Sequence, residues 1–112
     1  MLEITEEEAL EDLERVAEIL NKLKELGVKI AIDDFGTGYS SLNYIARLPI
    51  DILKIDRSLI NNIKDEKNIE IIKAIISMAN SLKLSVIVEG IENKLQLEIL
   101  KELNVEKFRD IL

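Results

Sequence analysis

Val28-Lys29-Ile30-Ala31-Ile32, followed at once by Asp33-Asp34-Phe35-Gly36, decides the fold. Val28 to Ile32 is a mostly β-branched run of strand length, and the acids and glycine behind it mark where a buried strand ends. Before it, Thr5 and Glu8 have the spacing of a capping box, and Glu6, Glu7 and Glu8 suit a helix N-terminus. Leu10, Leu13, Ala17, Leu20 and Leu23 then recur at helical spacing, and Gly27 supplies the stop. Ahead of that helix, Leu2-Glu3-Ile4 is a short apolar segment. The pattern is strand, helix, strand, and it continues. A polar, Gly-rich loop over Asp33 to Ser41 leads to a short helix over Ser40 to Arg47, then to a strand over Ile50 to Ile55. A helix opening between Asp65 and Ile69 carries Ile72, Ile75, Ile76, Ala79 and Leu82 on one face, and Leu84 to Val88 is the next strand. Asn93 with Gln96 resembles a second capping box and opens a last helix through Leu95, Ile99, Leu100 and Leu103, and a final strand is expected over Val105 to Phe108. Alternation of this kind predicts an α/β fold of parallel βα repeats with right-handed crossovers.

The 112 residues fit one domain, expected to span 1–112, with 47% apolar residues for a core and 33% charged residues for a surface. No run approaches the ~18 apolar residues of a membrane span. The segment Met1 to Ala9 carries four acids and no basic region, unlike a signal peptide. A cytoplasmic chain is the expectation. With neither Cys nor His, thiol chemistry, Cys-ligated zinc and imidazole catalysis are excluded, which leaves carboxylates, lysine and an oxygen-liking metal such as Mg²⁺ or Mn²⁺. The net charge of −7 argues against binding a nucleic-acid polymer or an acidic membrane. An anionic ligand would need a metal or a local lysine to enter such a field.

Strand parity sorts the residues further. Leu2, Ile4, Ile30, Ile32, Leu53, Ile55, Val86 and Val88 share one parity, as helix-facing positions should. The other parity holds Glu3, Ala31, Asp33, Ile52, Lys54, Asp56, Ile87 and Glu89. Acids therefore gather on one face at the C-terminal strand ends, the edge where parallel α/β folds bind ligands. Any single acid there has a plainer reading as a strand end meeting solvent, and Lys54 as a surface lysine on an edge strand. Four acids of one parity around a lysine point instead to a site. Carboxylates within ~5 Å of one another repel unless a cation lies between them, so an oxygen-ligated metal site is expected, with Lys54 balancing the cluster or holding a phosphate oxygen. Asp33 and Asp34 cannot both face inward along a regular strand, so the backbone is expected to turn at Asp34. The amides and hydroxyls of Gly36 to Ser41 suit a phosphate cradle, although a plain strand-to-helix turn fits them equally well.

Four stretches together resemble the EAL-domain family: Leu2-Glu3-Ile4-Thr5-Glu6, Asp33-Asp34-Phe35-Gly36-Thr37-Gly38-Tyr39-Ser40-Ser41-Leu42, Leu48-Pro49-Ile50-Asp51-Ile52-Leu53-Lys54-Ile55-Asp56 and Val88-Glu89-Gly90-Ile91-Glu92. The resemblance implies part of a TIM-type barrel and bacterial phosphodiesterases that open cyclic di-GMP to linear pGpG with Mg²⁺ or Mn²⁺. It implies metal ligands at Glu3, Asp33 and Asp34, and a lysine at Lys54 that orients the attacking water and phosphate. It further implies a carboxylate near that water at Glu89 and a loop-anchoring glutamate at Glu6. Asp56 and Glu92 lie in family motifs, and no catalytic step is assigned to either.

The departures are as informative. A full EAL domain is about twice this length, as a typical ~250-residue barrel would be. The N-terminal half, with its E-A-L glutamate and an asparagine ligand, has no counterpart here. At the other end the family's G-C-D-x-x-Q-G-Y faces Asn104-Val105-Glu106-Lys107-Phe108-Arg109-Asp110-Ile111, with Arg109 where the glutamine would stand. The expectation is a half-barrel fragment, inactive by itself. The alternative is a non-catalytic module that pairs its open sheet edges into a homodimer. A phosphoacceptor receiver domain shares the length and paired acids, but Asp56 follows Asp34 too closely for it and Lys54 precedes Asp56.

Overall fold

A computed structural model describes residues 1–35, 42–103 and 107–109. Its strands are β1 (Leu2–Thr5), β2 (Ile30–Phe35), β3 (Ile52–Ile55), β4 (Ser85–Glu89) and β5 (Lys107–Arg109). Its helices are α1 (Glu6–Glu11), α2 (Leu13–Glu25), α3 (Leu42–Arg47), α4 (Arg57–Asn61), α5 (Glu66–Ser81) and α6 (Lys94–Glu102). All neighbouring strands are parallel, and the order across the sheet is β1-β2-β3-β4-β5. A right-handed crossover that always steps to the next strand in one direction always lands its helix on the same face. The sheet is therefore singly wound, as in a barrel, and among the described residues one face carries no helix.

Burial follows that division. Ile30, Ile32, Leu53, Ile55 and Val88 join Leu20, Ile72, Ile75, Ala79 and Leu100 in the main core under the helices, with Leu2, Ile4 and Val86 packed against it. Ala31, Ile52 and Ile87 form a separate small cluster on the opposite face. The strand parity read from the sequence is thus the parity of the structure.

Three local expectations are corrected. The first helix is two: Asp12 leaves helical geometry and caps α2, its carboxylate accepting from the Arg15 amide, and Leu10 stands exposed. Strand β2 runs on to Phe35 rather than ending at Ile32. A further short helix, α4, begins directly after β3, where Asp56 serves as N-cap. The Thr5–Glu8 capping box is present in full. The second is half-formed: Asn93 accepts from the Gln96 amide, but Gln96 returns its bond to the amide of Glu92, one residue ahead of the cap. Helices α2 and α5 both close in a Schellman motif, with Gly27 in the left-handed position of the first and Lys83, at φ 59°, in that of the second. The start of the third helix at Ser40, the Gly36–Ser41 cradle and the start of the last strand at Val105 lie outside the described residues.

At the N-terminal edge of the sheet, Asp51 ties the layers together. Its carboxylate accepts from Lys24 Nζ at 2.6 and 2.8 Å and from the Ile30 amide at 2.9 Å. Burial by itself would raise the Asp51 pKa, but the hydrogen bonds from Lys24 and Ile30 outweigh it and hold the carboxyl below its ordinary value of 3.8. A depressed carboxylate adds stability that is complete above the unfolded pKa and disappears as pH falls through the folded one. Asp51→Asn is expected to cost about 1 kcal/mol at pH 7, at the low end for a charged hydrogen bond because Lys24 is part-exposed. In urea titrations the gap between parent and variant should close as pH drops below 4. A gap that stays constant with pH would assign the loss to something other than the ion pair.

Candidate functional site

The site grows from the C-terminal ends of four strands. Strand β1 contributes Glu3, β2 Asp33 and Asp34, β3 Lys54 and β4 Glu89. A bulge in β2 makes room for both acids. Ile32 pairs with Leu53 and Phe35 with Ile55, so Asp33 and Asp34 together stand opposite Lys54 alone. Asp34 takes φ 52°, the turn expected there, and the Asp33 carboxylate accepts the Asp34 amide at 2.9 Å. The extra residue returns Phe35, fully buried, to the helix side of the sheet.

Lys54 is the centre. It lies on the middle strand rather than an edge, and only 4% of its side chain is exposed. Its ammonium is 2.7 Å from Glu3 Oε1, 2.8 Å from Glu89 Oε1 and 3.6 Å from Asp33 Oδ1. Burial by itself would lower the Lys54 pKa, but the bonds to Glu3 and Glu89, then the charge of Asp33, hold it above the usual lysine value. The lysine is therefore a fixed cation. Asp34, outermost of the group, has its carboxyl raised above the usual range, first by desolvation and then by the charges of Asp33 and Asp56, against the pull of Lys54.

Carboxylate oxygens are the donors that Mg²⁺ and Mn²⁺ prefer, so Glu3, Asp33, Asp34 and Glu89 fit such an ion in kind. Among the described residues, however, no three acids are arranged to hold a metal, and the cation that Glu3, Asp33 and Glu89 share is the lysine.

Other residues brace the site. Glu6, the first residue of α1, is 2% exposed, and Tyr44 of α3 is buried beside it. Burial, and then the charge of Glu6, push the Tyr44 phenol above its ordinary pKa. Asp56 is spent on capping α4 through the Ser58 amide and hydroxyl. Gly90, at φ +79°, turns the chain directly after Glu89, and Arg57 Nε lies 2.8 Å from where a Cβ on Gly90 would sit. Buried Gln96 donates to the Ile60 carbonyl and accepts from Glu92, fixing that turn to α4. Tyr44, Arg57 and Gln96 were not legible as parts of this site, since an aromatic on a helix and polar residues at helix starts carry no distinguishing signal.

The family model for the EAL domain matches residues 1–109. The chain belongs to the EAL-domain family. Among curated relatives, the cyclic di-GMP phosphodiesterase NbdA of Pseudomonas aeruginosa is 48% identical over 106 residues, which are 94% of this chain and 14% of NbdA. The signaling protein YkoW of Bacillus subtilis is 46% identical over 102 residues, 90% of this chain and 13% of that protein. Among solved EAL structures, the MucR phosphodiesterase in complex with c-di-GMP superposes with a TM-score of 0.92 at 43% identity, covering 97% of this chain and 44% of that one. The manganese and cyclic di-GMP complex of BlrP1 from Klebsiella pneumoniae superposes with a TM-score of 0.88 at 29% identity, covering 96% and 28%. The chain thus spans a small part of the curated EAL proteins and less than half of the solved MucR chain. No helix among the described residues is long and apolar enough to cross a membrane.

Proposed function

We propose that this chain is the C-terminal part of a cytoplasmic EAL phosphodiesterase domain that hydrolyses cyclic di-GMP to linear pGpG, and that the part is inactive when isolated. The observation that carries the reading is the buried ammonium of Lys54 among Glu3, Asp33 and Glu89 at the C-terminal strand ends. An aligned cation in a water-poor site can hold a phosphate oxygen and the attacking water without reorganising during the reaction. Glu89, 2.8 Å from the same ammonium, would receive the proton that the water loses. The oxygen of water then bonds to phosphorus as one P–O bond to ribose breaks, and the proton taken up by Glu89 returns to the departing ribose oxygen, leaving a phosphomonoester and a hydroxyl. Together with ligands from the other half of the barrel, Glu3, Asp33 and Asp34 would contribute to holding Mg²⁺ or Mn²⁺, which would stabilise phosphate charge and acidify water. Glu6 would anchor the loop after β2. The ligands that the other half of the barrel supplies have no counterpart in this sequence, and lost ligands cost transition-state stabilisation of several kcal/mol.

The open edges of β1 and β5 are equally what a piece of a longer barrel presents, so they do not by themselves favour a self-associating module. Incubated with cyclic di-GMP and Mn²⁺, the chain is expected to form no pGpG beyond a Glu89→Gln control, followed by chromatography. Turnover above that control would overturn the inactivity of the isolated part.

A further inference from the structure

We propose that Gln96 is a positioning residue: its carboxamide clamps the ends of β3 and β4 together and so holds the Glu89 carboxylate against the Lys54 ammonium. The need for a clamp follows from the register. Pairing between β3 and β4 ends at Ile55 and Val88, so Glu89 stands one residue beyond it. The register partner of Glu89 is Arg109 on β5, the strand away from Lys54. Gly90, at φ +79°, then turns the chain. Past these strand ends, one stretch of chain forms α4 and the other runs through Glu92 into α6.

Gln96 joins the two stretches. Its Nε2 donates to the Ile60 carbonyl of α4 at 3.1 Å, and its Oε1 accepts the Glu92 amide, beyond the Gly90 turn, at 2.7 Å. A carbonyl can meet only the nitrogen of the carboxamide and an amide only its oxygen, so one orientation serves both. The residue is 5% exposed, and its own amide donates to the Asn93 side chain at 2.9 Å, which fixes it in the first turn of α6. Starting the helix does not call for this arrangement, since Asn93 already caps α6. The contact at stake is the 2.8 Å pair of Glu89 Oε1 and Lys54 Nζ. Its bearing on catalysis rests on Glu89 acting as proposed above, where a misplacement of about 1 Å costs on the order of 10²-fold in rate. The clamp itself does not depend on that role, and its test needs neither metal nor substrate.

Gln96→Met keeps the length of the side chain but can bond neither the Ile60 carbonyl nor the Glu92 amide. The measurement is exchange of the lysine ammonium hydrogens with water, read by nitrogen-15 NMR on the isolated chain at fixed pH and temperature. Those hydrogens exchange when their contacts open. In Gln96→Met the Lys54 ammonium should exchange about tenfold faster, the change expected when a buried hydrogen bond no longer holds a local opening closed. Lys24 is the internal reference. Its ammonium is held by Asp51 at 2.6 Å at the opposite edge of the sheet, and a general loosening would quicken both lysines.

Acceleration confined to Lys54 supports the proposal. Equal acceleration of both lysines, or none at Lys54, overturns it and leaves the phosphodiesterase reading untouched. Where Gln96→Met does not fold, Gln96→Asn repeats the comparison, because its carboxamide is one methylene too short to bridge both groups while water can fill the gap. Unfolding of both variants also overturns the proposal, since Gln96 would then hold up the fold as a whole rather than this one contact.

Discussion

Phe35→Ala is expected to lower the free energy of unfolding by about 3–5 kcal/mol, the usual cost of truncating a fully buried aromatic. Phe35 has no exposed surface and packs in the main core. Its loss should also disturb the site, because it anchors the β2 bulge. In an unbroken strand, Phe35 would share the inner face with Asp33, and Asp34 would be driven among the aliphatic side chains under the helices. Burying that carboxylate without a partner costs more than a bulge does. The extra residue sends the aromatic into the core and leaves both acids opposite Lys54. Domains of this size are stable by only about 5–15 kcal/mol, so the variant should populate the unfolded state in mild urea. Phe35→Leu keeps most of the volume and should cost about 1–2 kcal/mol. A loss below about 1 kcal/mol for Phe35→Ala, measured by urea denaturation, would show that this residue does not anchor the bulge.

The sequence disclosed the sheet because strand parity is a strict signal. Period two leaves each of Ile30, Ile32, Leu53 and Val88 only one face to occupy, and burial of one face fixes the register of all. Helix boundaries are looser. Leu10 and Leu13 keep helical spacing across Asp12, so nothing in the apolar pattern announces the break, which comes from the Asp12 side chain capping α2. Helix α4 has five residues, too few to display a period. Lys83 ends α5 in a position that glycine usually fills, and no glycine signal marks it.

At the site, the same parity brought Glu3, Asp33, Lys54 and Glu89 together, and repulsion among the acids called for a cation. The sequence reading put a metal in that place and gave Lys54 the part of balancing the cluster or holding a phosphate oxygen. Geometry assigns that place to Lys54 in the structure, since its stem on the central strand β3 delivers the ammonium between β1 and β4. A one-dimensional pattern holds no information about how far a side chain reaches across three strands. Nor does it reveal the bracing by Tyr44 or Arg57, which depends on helices whose positions follow from the winding.

Supplying the other half of the barrel should convert this chain from silent to active. A chimera in which residues 1–109 replace the matching stretch of a complete EAL phosphodiesterase is expected to form pGpG from cyclic di-GMP. Within it, Glu89→Gln should lower kcat about 10³-fold, near 4 kcal/mol of barrier, with KM changed only a few-fold. That split is what a carboxylate acting on the developing transition state predicts, whereas a merely structural role would appear as lost folded protein. Lys54→Met should lower kcat by a similar factor if, as proposed, its ammonium positions water and phosphate, a part that a bound metal would not replace. Arg109 gives the test a second branch. It pairs in register with Glu89, and it occupies the position where the family resemblance expects glutamine. A silent chimera that Arg109→Gln restores would place the defect at this one residue and preserve the assignment of the other five. A chimera that stays silent with glutamine at 109, while folded by circular dichroism, would overturn the proposal that Glu3, Asp33, Asp34, Lys54 and Glu89 form half of a working phosphodiesterase.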